Sequence, residues 1–187
     1  ISNLLKKKAN VNLTISTREK SSIKKLSNFE FENLEFKENA YDKKILDKLN
    51  EYDYILISVP PINSKDLFLE KLANHVSENS KIKSILYLSS TSVYGDHNGA
   101  WVNEESETKP KTKMGIDRLH IENKWIEFSK KKKLSIQIFR LAGIYSEKNN
   151  AVSRLQNKQS FLVVKENHFF SRIHVKDISE ILYLSLI

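Results

Sequence analysis

Apolar residues along this chain switch between two spacings, and the switches mark its elements. Residues 11–17 alternate apolar and polar positions, the period of a half-buried strand, and 33–36 reads as a shorter one. Residues 54–59 and 84–89 are near-continuous apolar runs, as expected of strands covered on both faces, and Pro60-Pro61 stops the first of them. Residues 135–140 form another strand, with Leu141-Ala142-Gly143 as its turn. Between the strands the spacing becomes helical. Leu67, Phe68, Leu72 and Val76 make a stripe over 64–76 with Ser64 as its cap. Ile116, Leu119, Asn123 and Ile126 make another over 112–131. Shorter helices are predicted at 1–8, 21–26 and 42–49, and a last one at 178–187 with Asp177 as its N-terminal cap. Strands alternating with helices imply parallel crossovers and a doubly wound, mostly parallel α/β sheet.

The segment that carries chemistry is Ser89-Ser90-Thr91-Ser92-Val93-Tyr94-Gly95-Asp96, which follows directly on the apolar run 85–88. A parallel strand ending so delivers hydroxyls to the carboxyl edge of the sheet, where ligands bind in such folds. Capping of the next turn explains one or two hydroxyls, but not this many followed by the aromatic and the glycine. The segment resembles the fifth-strand motif of extended short-chain dehydrogenases/reductases, the NAD-dependent epimerase/dehydratase family. Phe139-Arg140-Leu141-Ala142-Gly143-Ile144-Tyr145 and Arg172-Ile173-His174-Val175-Lys176-Asp177 are similar to two later segments of that family. The resemblance implies a Rossmann-like domain over residues 1–187, with the substrate-binding portion starting near residue 145 and incomplete. It also implies that the family's first strand precedes Ile1 and that the C-terminal part lies beyond Ile187.

What the resemblance implies for the site is specific. Ser90 takes the position of the catalytic Ser/Thr, with Thr91 beside it, and Tyr94 and His174 fall on the substrate side. Thr17, Arg18, Pro60, Ser89, Arg118, Leu141, Ala142 and Gly143 fall on the cofactor side. Arg18, just past the second strand of the family pattern, suits the 2′-phosphate of NADP where an acidic residue would suit the 2′-hydroxyl of NAD. NADP is therefore the expected cofactor, with NAD as the alternative. A nucleotide-sugar or sugar-like molecule is the expected substrate.

Two departures limit that picture. No G-x-G-x-x-G occurs, since the glycines are Gly95, Gly99, Gly115 and Gly143. Either no dinucleotide binds, or the glycine turn lies ahead of Ile1. The second is preferred because residues 1–8 read as the helix that should follow that turn. The second departure concerns the family's Tyr and Lys, which share a helix face at i and i+4. Aligned on Gly115, those positions hold Met114 and Arg118. Met has no titratable proton, and Arg does not deprotonate at working pH. An oxidoreductase or epimerase and a non-catalytic NADP-binding sensor or scaffold thus both stay open.

Composition alters this little. The net charge of +8 comes from an excess of lysine spread along the chain. Lys130-Lys131-Lys132-Lys133 falls at a predicted helix end, where cations suit the dipole, as does Lys6-Lys7-Lys8. Neither run is interleaved with aromatics, so a nucleic-acid partner is not expected. No apolar run is long enough to span a bilayer, and no His, Asp and Glu set has metal-ligand spacing. The absence of cysteine excludes disulfides and fits the reducing cytoplasm expected as its location.

Overall fold

The computed structural model describes residues 11–19, 31–157 and 169–186. Strand β1 (Thr14–Thr17) runs parallel to β2 (Glu32–Lys37), with Thr14 opposite Glu32 and Thr17 opposite Glu35. The two-residue β3 (Ala40–Tyr41), too short to show a period, folds back antiparallel on β2. A second parallel set has the order β4 (Tyr54–Ile57), β5 (Ser84–Ser90), β6 (Ser135–Leu141). A third pair, β7 (Gly143–Tyr145) and β8 (Arg172–His174), is also parallel. Among the described residues β1 and β4 each have a single hydrogen-bonded neighbour strand. The helices predicted at 1–8 and 21–26 lie outside the described residues.

Five α-helices accompany the strands among the described residues: α1 (Lys44–Lys48), α2 (Leu67–Lys71), α3 (Lys113–Lys132), α4 (Ala151–Gln156) and α5 (Val175–Leu184). Two caps differ from the sequence reading. Asp66, not Ser64, starts α2. Its backbone is extended, and its carboxylate accepts a hydrogen bond from the Leu69 amide at 3.0 Å. Ser64 sits two residues earlier in the left-handed region (φ 58°) and donates its hydroxyl to Asp117 of α3 at 2.5 Å. Helix α5 begins at Val175 with His174 as its cap, which leaves Asp177 inside the first turn, where a negative charge suits the dipole. Helix α3 is capped by Thr112, which accepts from the Gly115 amide at 3.2 Å, and the lysine run ends it as expected, Lys133 taking the left-handed conformation.

The buried face of α3 is not the one that the spacing of Ile116, Leu119, Asn123 and Ile126 predicts. Ile116 and Ile126 are exposed, whereas Gly115, Asp117, Ile121, Glu122 and Trp125 are buried. Asp117 and Glu122 share the inner stripe with Ile121 and Trp125 because each has a hydrogen-bond partner there, Ser64 for Asp117 and Ser89 with Arg140 for Glu122.

Strand β5 organises both layers, because successive side chains leave opposite faces of a sheet. Ile85 and Tyr87 share a core with Phe68 and Leu72 around α2 and with Ile121 and Trp125 of α3. Leu86 shares a second core with Ile178 and Leu182 of α5. Helices thus cover both faces, the doubly wound Rossmann-like arrangement. Trp125 is the keystone of the first layer, fully buried, with ring centroids 5.4 Å from Phe68, 5.6 Å from Phe128 and 5.9 Å from Tyr87. Each such ring pair adds about 0.5–1.5 kcal/mol beyond its area.

Candidate functional site

The carboxyl end of β5 is built by its own sequence. Ser90 keeps an extended backbone and turns its hydroxyl oxygen to accept from the Ser92 amide at 3.2 Å, capping the single 3₁₀ turn Thr91–Val93. Gly95 follows with φ 73° and lies so close to the Lys109 carbonyl that a side chain would collide with it. The motif's glycine is therefore demanded by both backbone conformation and space. Parallel pairing sets Ser90 opposite Leu141, which brings the tip of β5 beside the Leu141-Ala142-Gly143 turn.

Helix α3 grips this tip along one face. A Cβ on Gly115 would stand 2.6 Å from the Ser92 carbonyl oxygen, so the missing side chain allows the helix start to press on the turn. Arg118 donates from a guanidinium nitrogen to the Leu88 carbonyl at 2.6 Å. Glu122 is 1% exposed and accepts from the Ser89 hydroxyl at 2.5 Å. It also holds Arg140 of β6 through both carboxylate oxygens, with Nε at 3.3 and 3.2 Å and a terminal nitrogen at 2.8 Å. Glu122 raises the Arg140 pKa above its ordinary value through that side-chain hydrogen bond. Arg140 in turn lies over the Tyr94 ring, 4.9 Å from its centroid, and the Tyr94–His97 rings meet edge to face.

Behind the tip, burial dominates. Tyr87 is fully buried, and burial pushes its phenol up to about 12 against the lowering influence of Arg118. The phenol oxygen and the Arg118 Nε are both buried with no hydrogen-bond partner. Asp66 is also buried, and loss of solvent raises its carboxyl above the ordinary value despite the amide bond it accepts from Leu69.

The structure thus brings Ser89, Ser90, Thr91, Tyr94, Arg118 and Leu141 together around one strand tip. Tyr94, expected on the substrate side, is 6% exposed and packed under Arg140. Arg118 spends one guanidinium nitrogen on the strand backbone. Thr17 ends β1, in a separate parallel set, and Arg18 follows it. The Thr17 hydroxyl meets the Glu19 carbonyl at 2.9 Å and the Asn33 amide oxygen at 3.0 Å, while Arg18 is exposed. Pro60 is exposed beyond the end of β4. The Gly143 amide donates to the Ser171 carbonyl at 3.1 Å, under the Arg172 side chain. His174 faces Tyr145 across the β7–β8 register, with ring centroids 4.9 Å apart. Met114, where the resemblance implies a tyrosine, is 65% exposed.

Glu122 and Arg140 are the residues that sequence reasoning passed over. Glu122 follows Arg118 at i+4, which predicts a shared helix face, but only the fold shows what that face meets. No group of three or more His, Asp or Glu placed to hold a metal ion occurs among the described residues, and no helix there is long and apolar enough to cross a membrane.

The model of the NAD dependent epimerase/dehydratase family matches residues 68–186, well over half of the chain. A functionally unknown conserved protein from Silicibacter pomeroyi DSS shares 32% identity at a TM-score of 0.70, over 83% of this chain and 52% of its own. This chain therefore spans about half of that protein's length. UDP-N-acetylglucosamine 4-epimerase from Methanobrevibacter ruminantium M1, solved with UDP-N-acetylmuramic acid, is similar in fold at 17% identity and a TM-score of 0.73, over 99% of this chain and 68% of that one. A mutant of UDP-glucuronic acid 4-epimerase from Bacillus cereus, solved with UDP-4-deoxy-4-fluoro-glucuronic acid and NAD, is similar at 16% identity and a TM-score of 0.64, over 83% and 55%. No curated protein matches the chain.

Proposed function

This chain belongs to the NAD dependent epimerase/dehydratase family, and we propose that it forms the dinucleotide-binding part of an oxidoreductase or epimerase acting on a nucleotide-sugar or sugar-like substrate. The observation that carries this reading is the β5 tip, where Ser90 and Thr91 end a buried parallel strand directly beside the Leu141–Gly143 turn. Neighbours solved with NAD and with UDP-sugars support the ligand class.

The donor set divides between the two ends of a dinucleotide. Hydroxyls at Ser90 and Thr91, and backbone at Leu141, Ala142 and Gly143, would hold the nicotinamide side, with Pro60 at the neighbouring strand end. Thr17 and Arg18 would hold the adenosine ribose, and the exposed guanidinium favours a 2′-phosphate and therefore NADP. The chain's four glycines do not include a phosphate-cradling turn. The cofactor, when bound, supplies hydride exchange at the nicotinamide. The chain's own task is to orient the substrate oxygen, for which a Ser90 hydroxyl can donate a hydrogen bond.

The weak point is the proton. Met114 cannot exchange one, Arg118 remains charged, and Tyr94 is enclosed beneath Arg140. That favours a second reading, a dinucleotide-binding sensor or scaffold. Titration of the intact protein with NADPH and NADH, followed by incubation with UDP-sugars and keto-sugars, separates the two. Turnover at the nicotinamide absorption band that falls at least tenfold in Ser90→Ala, with the dinucleotide Kd unchanged, supports the enzyme. Binding without turnover supports the sensor, and no binding at all refutes both.

A further inference from the structure

We infer that Glu122 is a positioning residue that holds the hydroxyl-bearing tip of β5 in its working conformation from the opposite face of the sheet. The assignment rests on the proposed site at Ser90 and adds to it the residue that sets its geometry. Alternation along β5 sends Ser89 towards α3 and Ser90 to the other side. The Ser90 side chain therefore leaves the face opposite α3, and its backbone is placed by the two residues before it. Ser89 is one of them, buried at 4% and hydrogen-bonded to Glu122 at 2.5 Å. Leu88 is the other, its carbonyl held by Arg118 at 2.6 Å.

Glu122 has a second grip. In the β5–β6 register Arg140 stands directly opposite Ser89, and it reaches the same carboxylate at 2.8 Å. A single buried carboxylate thus ties two adjacent strands to one helix at the level where both strands end. Arg140 carries the tie onward to Tyr94, stacking over its ring at 4.9 Å. The turn Thr91–Val93 is enclosed between Ser89 at its start and Tyr94 at its end, both held through Glu122. Charge is essential to this arrangement. A carboxylate accepts from the hydroxyl and from Arg140 together, and charge-assisted bonds are roughly twice as strong as neutral ones. Arg118 and Glu122 lie one turn apart on α3, so the position where the family resemblance implies a lysine holds here one arm of this strand clamp.

The test uses the intact protein with Glu122→Gln, which keeps the shape and removes the charge, and Glu122→Asp, which keeps the charge but shortens the reach. Amide hydrogen exchange is followed by mass spectrometry on peptides covering 88–95 and, as an internal reference, on those of β4 and α5. For Glu122→Gln, exchange in 88–95 is expected to rise at least tenfold more than in the reference peptides. Glu122→Asp should recover part of that protection. The same variants are titrated with NADPH, where Glu122→Gln should weaken binding severalfold. Uniform acceleration along the chain, or unchanged exchange in 88–95, would overturn the inference, since either would make Glu122 an ordinary stabilising residue. Selective exchange in a protein that binds no dinucleotide would uphold the clamp and refute the functional reading instead.

Discussion

Gly115→Ala sets two known energies against each other, and the structure decides the sign. Gly115 lies in the first turn of a twenty-residue helix, so adding a methyl group should by propensity alone stabilise the protein by about 1 kcal/mol. The new Cβ, however, would stand 2.6 Å from the Ser92 carbonyl oxygen, 3.2 Å from its carbon and 2.9 Å from Cβ of Pro110. Two of these are backbone atoms of the turn after β5, which cannot swing aside as a flexible side chain would. Overpacking of this kind costs about 1–3 kcal/mol. The net expectation is destabilisation of about 1 kcal/mol, equivalent to a fall in Tm of about 2–4 °C for a chain of this size. Differential scanning calorimetry of the variant beside Glu127→Ala, an exposed control on the same helix expected within about 0.5 kcal/mol of the parent, reads it directly. A rise in Tm of about 2–4 °C for Gly115→Ala would mean that helix propensity prevails and that α3 does not press on the hydroxyl turn. The reasoning about the β5 tip would then lose its support.

Arg18→Asp should weaken NADPH at least tenfold while leaving NADH within about twofold, because only the phosphate gains from the guanidinium; equal losses for both cofactors would remove Arg18 from the ribose. Asp66 supplies a pH test. Burial raises its folded-state pKa above the unfolded value, so the stability it contributes is complete below the unfolded pKa and lost as pH rises through the folded one. Asn can still accept the Leu69 amide but does not ionise. The stability of Asp66→Asn relative to the parent, measured by urea unfolding, should therefore improve as pH rises through the unfolded-state carboxyl pKa and level off once Asp66 is ionised in the folded protein. A relative stability that declines as pH rises would contradict the burial of this carboxyl.

The amino-acid pattern determined the larger outline of this protein without help. The runs at 54–59, 84–89 and 135–140 became β4, β5 and β6; the two-sided burial expected of such runs holds for β5, whereas Leu56 of β4 is exposed. Thr112 and the lysine run bounded α3 because caps and terminal charges act within a turn of themselves. The hydroxyl tip was legible for the same reason, since strand, turn and glycine are contiguous in the chain. Tertiary structure decided what lies across the sheet. Ser64 and Asp66 both have capping chemistry, and the choice fell to Asp66 because Ser64 is drawn to Asp117, distant in sequence. The inner face of α3 carries Glu122, whose burial makes sense only once Ser89 and Arg140 converge on it from two different strands. Apolar periodicity records which positions avoid water, whereas a buried charge is tolerated only through partners that the fold assembles.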